Sequence, residues 1–261
     1  MNIFEGPQPQ NNDARKAILD RIVADLQTIY AEQIIAIGLY GSMARESDMP
    51  YSDVELCCVI QGEEIDHNYE WVYGASKAEV NVRSPDALRD EVLDLDESWA
   101  IWKGAYLDMR TIYGDAALFA EMSTLVLSPA TDDFDDVVAG MIVGELYEWI
   151  GKLRNAQHVG NLAILPQLAS KFVEYGALML GLVHRHCYTT GSQMLEESLQ
   201  LPDRPDGYDE LCALVMVGTL AEPEKVAAKI ETFWQGVGRW TAANDIDLSA
   251  WSGWPLQSTQ F

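Results

Sequence analysis

The stretch "AIGLYGSMARESDMPYSDVELCCV", residues 36–59, decides the fold. It opens as a short apolar strand that stops at Gly41. After Ser42 come ten residues, then Asp53 and Glu55 one residue apart at the start of a second strand. Residues i and i+2 of a strand leave the same face, so these two carboxylates converge on one point, where a hard cation such as Mg²⁺ suits oxygen ligands. If Ser42 begins a helix, its hydroxyl and the first backbone N–H groups point together at a spot that accepts phosphate. Set opposite each other, the two halves would hold the metal that neutralises a triphosphate while its α-phosphorus is attacked in line. The same residues also describe a turn feeding an edge strand, with Asp53 and Glu55 on its solvent face. Spacing alone leaves both open.

Working outward, residues 11–30 place Ala17, Ile18, Ile22, Leu26 and Ile29 on one helical face, capped by Asn12 or Asp13. Further on, "KAEVNV" alternates Lys77, Glu79 and Asn81 with Ala78, Val80 and Val82, a strand with one polar and one apolar face. A helix follows at about 86–95, and "YLDMRTIYGD" has the character of an added strand. From Asp133 the pattern is helical almost throughout, around 133–156, 164–185, 207–217 and 223–243. The expected fold is α+β: an N-terminal domain with a mixed β-sheet over residues 1–128, then a C-terminal, up-and-down bundle-like helical domain over 129–261.

The bulk numbers narrow the function. The 17 basic and 41 acidic residues give a net charge of −24, which repels a polyphosphate backbone, so nucleic acid is not an expected partner. No apolar stretch is long enough to span a bilayer, and the first residues lack a secretory signal, so the expectation is a soluble cytoplasmic protein. Cys57, Cys58, Cys187 and Cys212 form no Cys-x-x-Cys and are expected as thiols, mostly buried. Neither a P-loop nor a Rossmann glycine fingerprint occurs.

Strand, Gly-Ser, short helix, then a strand with Asp-x-Glu resembles the signature of the DNA polymerase β-like nucleotidyltransferase superfamily, which carries a third carboxylate on a later strand. Glu79 is the matching position. Within that superfamily the chain resembles the aminoglycoside 4′-O-nucleotidyltransferase (kanamycin nucleotidyltransferase) family, through "AIGLYGSMARESDMPYSDVELCCV", "EWVYGASKAEVNV", "GELYEWIGKLRN", "GLVHRHCYTT" and "GYDELCALVMVG", in the family's order. The resemblance implies that Ser42 and Arg45 contact nucleotide phosphates and that Asp53 and Glu55 bind magnesium. Glu70, Lys77 and Glu79 would line the same site, Lys77 toward the nucleotide. Glu148 matches the general base and Lys152 a phosphate contact; as i and i+4 on a helix they also make an ordinary surface ion pair. Where the family has two adjacent acids early in this helix the chain has Gly144-Glu145, leaving Glu145 as a substrate-facing carboxylate. Implied with these are Mg²⁺, ATP or another NTP as co-substrate, an aminoglycoside acceptor, and a homodimer with shared active sites. The rival readings are a transferase for another small-molecule or protein hydroxyl, and a non-catalytic module of the same fold.

Other residues read as structural. His184, His186 and Cys187 fit no common zinc spacing and are expected to pack or hydrogen-bond. "GEEIDHNYE" is read as a solvated acidic loop carrying His67, and Trp149, Trp234 and Trp240 as core or interface. "ALMLGLV" after Gly176 suits helix packing or a dimer contact.

Overall fold

The structure, a computed structural model, describes residues 3–73 and 76–249; the end of "SAWSGWPLQSTQF", from Ala250 on, lies outside them. The chain forms two compact units. One comprises the residues up to Asp94 with Lys103–Pro129, the other Leu95–Trp102 with the chain from Ala130 onward.

In chain order the first unit carries α1 (Asn12–Tyr30), β1 (Ile34–Tyr40), the one-turn α2 (Gly41–Ala44), β2 (Val54–Ile60), β3 (Asp66–Tyr73), β4 (Ser76–Arg83) and α3 (Pro85–Leu93). After α4 (Trp99–Trp102), which belongs to the second unit, come α5 (Gly104–Leu107), β5 (Arg110–Gly114) and α6 (Ala116–Val126). The sheet is mixed, in the order β3-β4-β2-β1-β5, with β2 and β4 parallel and the other pairs antiparallel.

The two sheet faces differ. Ile37 and Leu39 of β1, Val54, Leu56, Cys58 and Ile60 of β2, and Ala78, Val80 and Val82 of β4 form one apolar face closed by α1. The stripe of α1 runs through Leu19, Ile22 and Leu26. Ala17 faces solvent and Ile29 is 68% exposed, so the expected face was displaced toward Leu19. The cap is Asn11, whose Oδ1 accepts the Ala14 N–H at 2.8 Å. A carboxamide one residue earlier satisfies the same orphan donor. The opposite sheet face begins with Gly38, where a side chain would meet Met109 and Phe119 of the covering segment. It continues through Tyr40, Glu55, Glu79 and Asn81.

β3 corrects the reading of residues 62–70 as a loop: Asp66 through Tyr73 pair with β4 along their whole length, placing His67 in a strand. Its side chains are mostly exposed on both faces, so this edge strand shows no apolar alternation by which to recognise it. A buried ion pair anchors the spacer after α2. Arg15, 3% exposed, donates through Nε to Asp48 Oδ2 at 2.8 Å and through Nη1 to the Gln10 carbonyl at 2.7 Å.

The second unit contains α7 (Thr131–Met141), α8 (Tyr147–Val159), α9 (Leu165–Val183), α10 (Met194–Ser198), α11 (Tyr208–Val217) and α12 (Pro223–Ala243). They pack around α9, whose Ala177–Leu182 stretch is buried within this unit. Trp99 of α4 is fully buried, edge-on to Phe134 at 4.9 Å, which holds that segment here. Between α7 and α8 the helix does not break but widens into a π turn over Ile142–Leu146, where the Tyr147 N–H donates to the Ile142 carbonyl five residues back. The cause is visible in the spacing of the buried Phe134, Val138, Ile142, Leu146 and Ile150. Residues four apart overshoot a full α-helical turn by about 40°, so a strict α-helix would carry this row off the core. The wider turn takes back part of that drift.

Cys57, Cys58 and Cys212 are buried and Cys187 is half-buried. No helix among the described residues is long and apolar enough to cross a membrane.

Candidate active site

The sheet register builds the site of the first unit. Tyr40 lies opposite Glu55, Glu55 opposite Glu79, and Glu79 opposite Glu70, so four side chains on four adjacent strands form one row across a single face. Asp53 precedes β2 by one residue and lies two residues from Glu55, toward the same face. The Gly-Ser turn is pressed against this row. Gly41 has φ +70°, and a Cβ there would land 1.7 Å from Glu55 Oε2. Glycine is required both by the left-handed backbone and by the carboxylate lying over its Cα. Because α2 is a single turn, Ser42 gains little from a helix dipole; what the turn offers is its hydroxyl and backbone N–H groups.

Like charges crowd the row. Burial first, then Asp53 and Glu79, push the Glu55 carboxyl up to about 7, with Arg45 and Lys77 pulling weakly the other way. Lys77 Nζ sits 3.0 Å from Glu70 Oε2 and 4.0 Å from Glu79 Oε2, and its hydrogen bond to Glu70 raises its pKa. Arg45 reaches Asp108 through Nη1 at 3.4 Å, while its Nε is buried and hydrogen-bonds to nothing in the structure. That leaves a cationic donor with no acceptor among the described residues.

The donor set fits Mg²⁺. Among the described residues no three His, Cys, Asp or Glu side chains gather into a group that could hold a metal ion by themselves. Magnesium, however, keeps several waters and is bound through one or two carboxylates together with substrate phosphates. A carboxyl pushed up to about 7 by burial, and further by Asp53 and Glu79, is a site that a divalent cation relieves.

Two polar residues of this face carry no role in the motif. The Tyr40 hydroxyl donates to Glu79 Oε1 at 3.0 Å, and Asn81 Nδ2 donates to the Tyr40 oxygen at 2.9 Å and to Glu79 Oε1 at 3.3 Å. Asn81 was signalled by continuing the polar face of "KAEVNV"; Tyr40, the last residue of an apolar strand, had no signal.

In the second unit Glu145 lies within the π turn, and Glu148 and Lys152 lie one turn apart on α8. Lys152 Nζ is 2.5 Å from Glu148 Oε1, with both side chains about half exposed. His186 Nε2 lies 3.2 Å from Glu197 Oε2, and its ring packs edge-on against Tyr188. Trp149 and Trp240 are buried and Trp234 is half-buried.

The family model for the KNTase C-terminal domain matches residues 116–247. Two curated relatives, from Staphylococcus aureus and a Bacillus species, are both named aminoglycoside nucleotidyltransferase (4′). Each is 36% identical over 248 residues, covering 94% of this chain and 98% of the relative. Among solved structures, a nucleotidyltransferase-like protein from Exiguobacterium sibiricum 255-15 is similar at a TM-score of 0.52 and 12% identity, over 89% of this chain and 78% of that one. At that identity the likeness concerns the fold alone.

Proposed function

The chain belongs to the aminoglycoside nucleotidyltransferase (4′) family, and on that premise we propose that it transfers AMP from Mg·ATP, or a nucleoside monophosphate from another NTP, to the 4′-hydroxyl of kanamycin- and tobramycin-like aminoglycosides. Pyrophosphate leaves, and the modified drug no longer binds its ribosomal target, which confers resistance. The observation that carries the reading is the carboxylate row Glu55–Glu79 lying against the Gly41-Ser42 turn.

In the proposed mechanism Glu148 accepts the proton of the acceptor hydroxyl as its oxygen forms a bond to the α-phosphorus. The bond from that phosphorus to the bridging oxygen of pyrophosphate breaks. Ser42, Arg45, Lys77 and Lys152 stabilise phosphate charge. Asp53, Glu55 and Glu79 would hold magnesium, which when bound neutralises the triphosphate. Glu70, Glu79, Glu145 and Glu148 meet the ammonium groups of the drug, and the net charge of −24 favours the encounter with a polycation. The enzyme acts in the cytoplasm as a homodimer with shared active sites.

The test is pyrophosphate release with Mg·ATP, comparing tobramycin, which has a 4′-hydroxyl, with gentamicin, which lacks one. Release with tobramycin alone is expected. Equal release with both removes the 4′ assignment, and silence with both across several NTPs removes the aminoglycoside acceptor.

A further inference from the structure

Of the three carboxylates in the row, Glu79 is the one with a single oxygen held by two neutral side chains. Its Oε1 accepts two hydrogen bonds, from the Tyr40 hydroxyl and from Asn81 Nδ2, while Asn81 also donates to the Tyr40 oxygen. The proton direction in this triangle follows from the chemistry of its members. An amide nitrogen only donates, so Tyr40 receives the Asn81 N–H and has its single proton left for Glu79. Flipping the Asn81 amide would set its oxygen against Glu79 Oε1, acceptor to acceptor. The flip is therefore disfavoured, even though the present orientation leaves Asn81 Oδ1 buried and without a partner. A buried, unpaired carbonyl destabilises a fold. Stability alone does not account for an asparagine here.

Both donors bind the same oxygen. Oε2, the oxygen toward Lys77 Nζ at 4.0 Å, is left out of the triangle. Tyr40 is itself 8% exposed and placed by the β1–β2 register, so the hydroxyl has a rigid base. We propose that Tyr40 and Asn81 are positioning residues that occupy Glu79 Oε1 and present Oε2 alone to the divalent cation of the nucleotide site. This rests on the reading of Asp53, Glu55 and Glu79 as the metal-binding carboxylates. Residues that orient metal ligands act through affinity: their loss weakens metal binding or activity by about 10–100-fold.

The experiment titrates Mn²⁺ into the full-length protein with a non-hydrolysable ATP analogue and reads free Mn²⁺ by electron paramagnetic resonance. It compares the parent, Tyr40→Phe, Asn81→Ala and Asp53→Asn, with urea unfolding of each. Tyr40→Phe removes one oxygen and keeps the ring. The expected result is Mn²⁺ binding at least ~10-fold weaker in Tyr40→Phe and in Asn81→Ala, with parent-like cooperative unfolding. Turnover should be recovered at high Mg²⁺, as an altered half-saturation rather than an altered limiting kcat. Parent-like Mn²⁺ affinity in Tyr40→Phe overturns the proposal, as does a loss that appears only together with a broadened unfolding transition. Should Tyr40→Phe not fold, Asn81→Ala decides by the same criteria. If Asp53→Asn binds Mn²⁺ as the parent does, the metal-site reading itself fails. If Asp53→Asn loses binding while Tyr40→Phe keeps it, the positioning role alone fails.

Discussion

Glu55 and Gly41 occupy nearly the same space: the Glu55 carboxylate lies where a side chain on residue 41 would begin, 1.7 Å from Oε2 and 2.6 Å from Cδ. The Gly-Ser turn and β2 are thus packed together through a contact that only glycine permits. Gly41→Ala is expected to cost about 2–4 kcal/mol, through left-handed backbone strain and the collision with Glu55. In a double-mutant cycle with Glu55→Ala, measured by urea unfolding, the collision part should disappear and the backbone part remain. Strict additivity would show that the two residues do not share this contact.

The Glu55 carboxyl also sets a pH dependence in metal-free protein. Its pKa rises from an ordinary 4.5 to about 7, chiefly by burial. The folded state therefore holds a proton that the unfolded chain releases. The stability that accompanies this proton is fully present below 4.5 and is lost as pH rises through 7, amounting to about 3 kcal/mol at ~1.4 kcal/mol per pH unit. With EDTA present, Glu55→Gln should be more stable than the parent at pH 8 and about equal to it at pH 4.5. Added Mg²⁺ should narrow the difference at pH 8, and equal unfolding midpoints at both pH values would remove the effect.

Turnover and folding are expected to separate at Glu148. Its ion pair with Lys152 is half exposed, so Glu148→Gln should change stability by no more than about 0.5 kcal/mol. As general base its loss should lower kcat by about 10²–10⁴-fold with little change in KM for the nucleotide. A normal kcat removes Glu148 as the base. Asp53→Asn should abolish turnover with the fold intact, seen as an unchanged circular dichroism spectrum beside absent pyrophosphate release.

The buried Arg15–Asp48 pair anchors the spacer between Ser42 and Asp53. Asp48→Asn or Asp48→Leu alone should destabilise the protein by about 3–5 kcal/mol, because a buried guanidinium is left without its counter-charge. Arg15→Met combined with Asp48→Leu should recover much of that loss, as read from urea midpoints. Failure to recover would show that the Arg15 bond to the Gln10 carbonyl, at 2.7 Å, carries the anchoring.

What could be read from the chain follows where a single physical signal dominates. The apolar run ending at Gly41 and the two-residue spacing of Asp53 and Glu55 are local, and both belong to the strand–turn–strand that the structure contains. The alternation of "KAEVNV" placed Glu79 and Asn81 on one face for the same reason. β3 was missed because, Trp71 apart, the described side chains of this edge strand are exposed and leave no apolar alternation. The partnership of Tyr40 with Glu79 spans 39 residues and two strands, and exists only once the register Tyr40↔Glu55↔Glu79 is formed. Leu95–Trp102 joins the helical unit through the burial of Trp99, a long-range preference that local composition does not record.

The π turn at Ile142–Leu146 has a further consequence for how this helix tolerates lost residues. Such a turn accommodates one residue more than an α-helix of equal length, and a Cβ placed on Gly144 within it would meet no atom beyond the helix's own backbone within 4 Å. Deleting Gly144 is expected to restore regular i to i+4 bonding while Phe134 and Val138 before it, and Glu148, Trp149 and Lys152 after it, keep their facing. A deletion at Asn155, in ordinary helix, would instead turn everything beyond it by about 100°. The helix from Thr131 to Val159 therefore has a place where a deletion need not become a rotation, and it lies directly before Glu148.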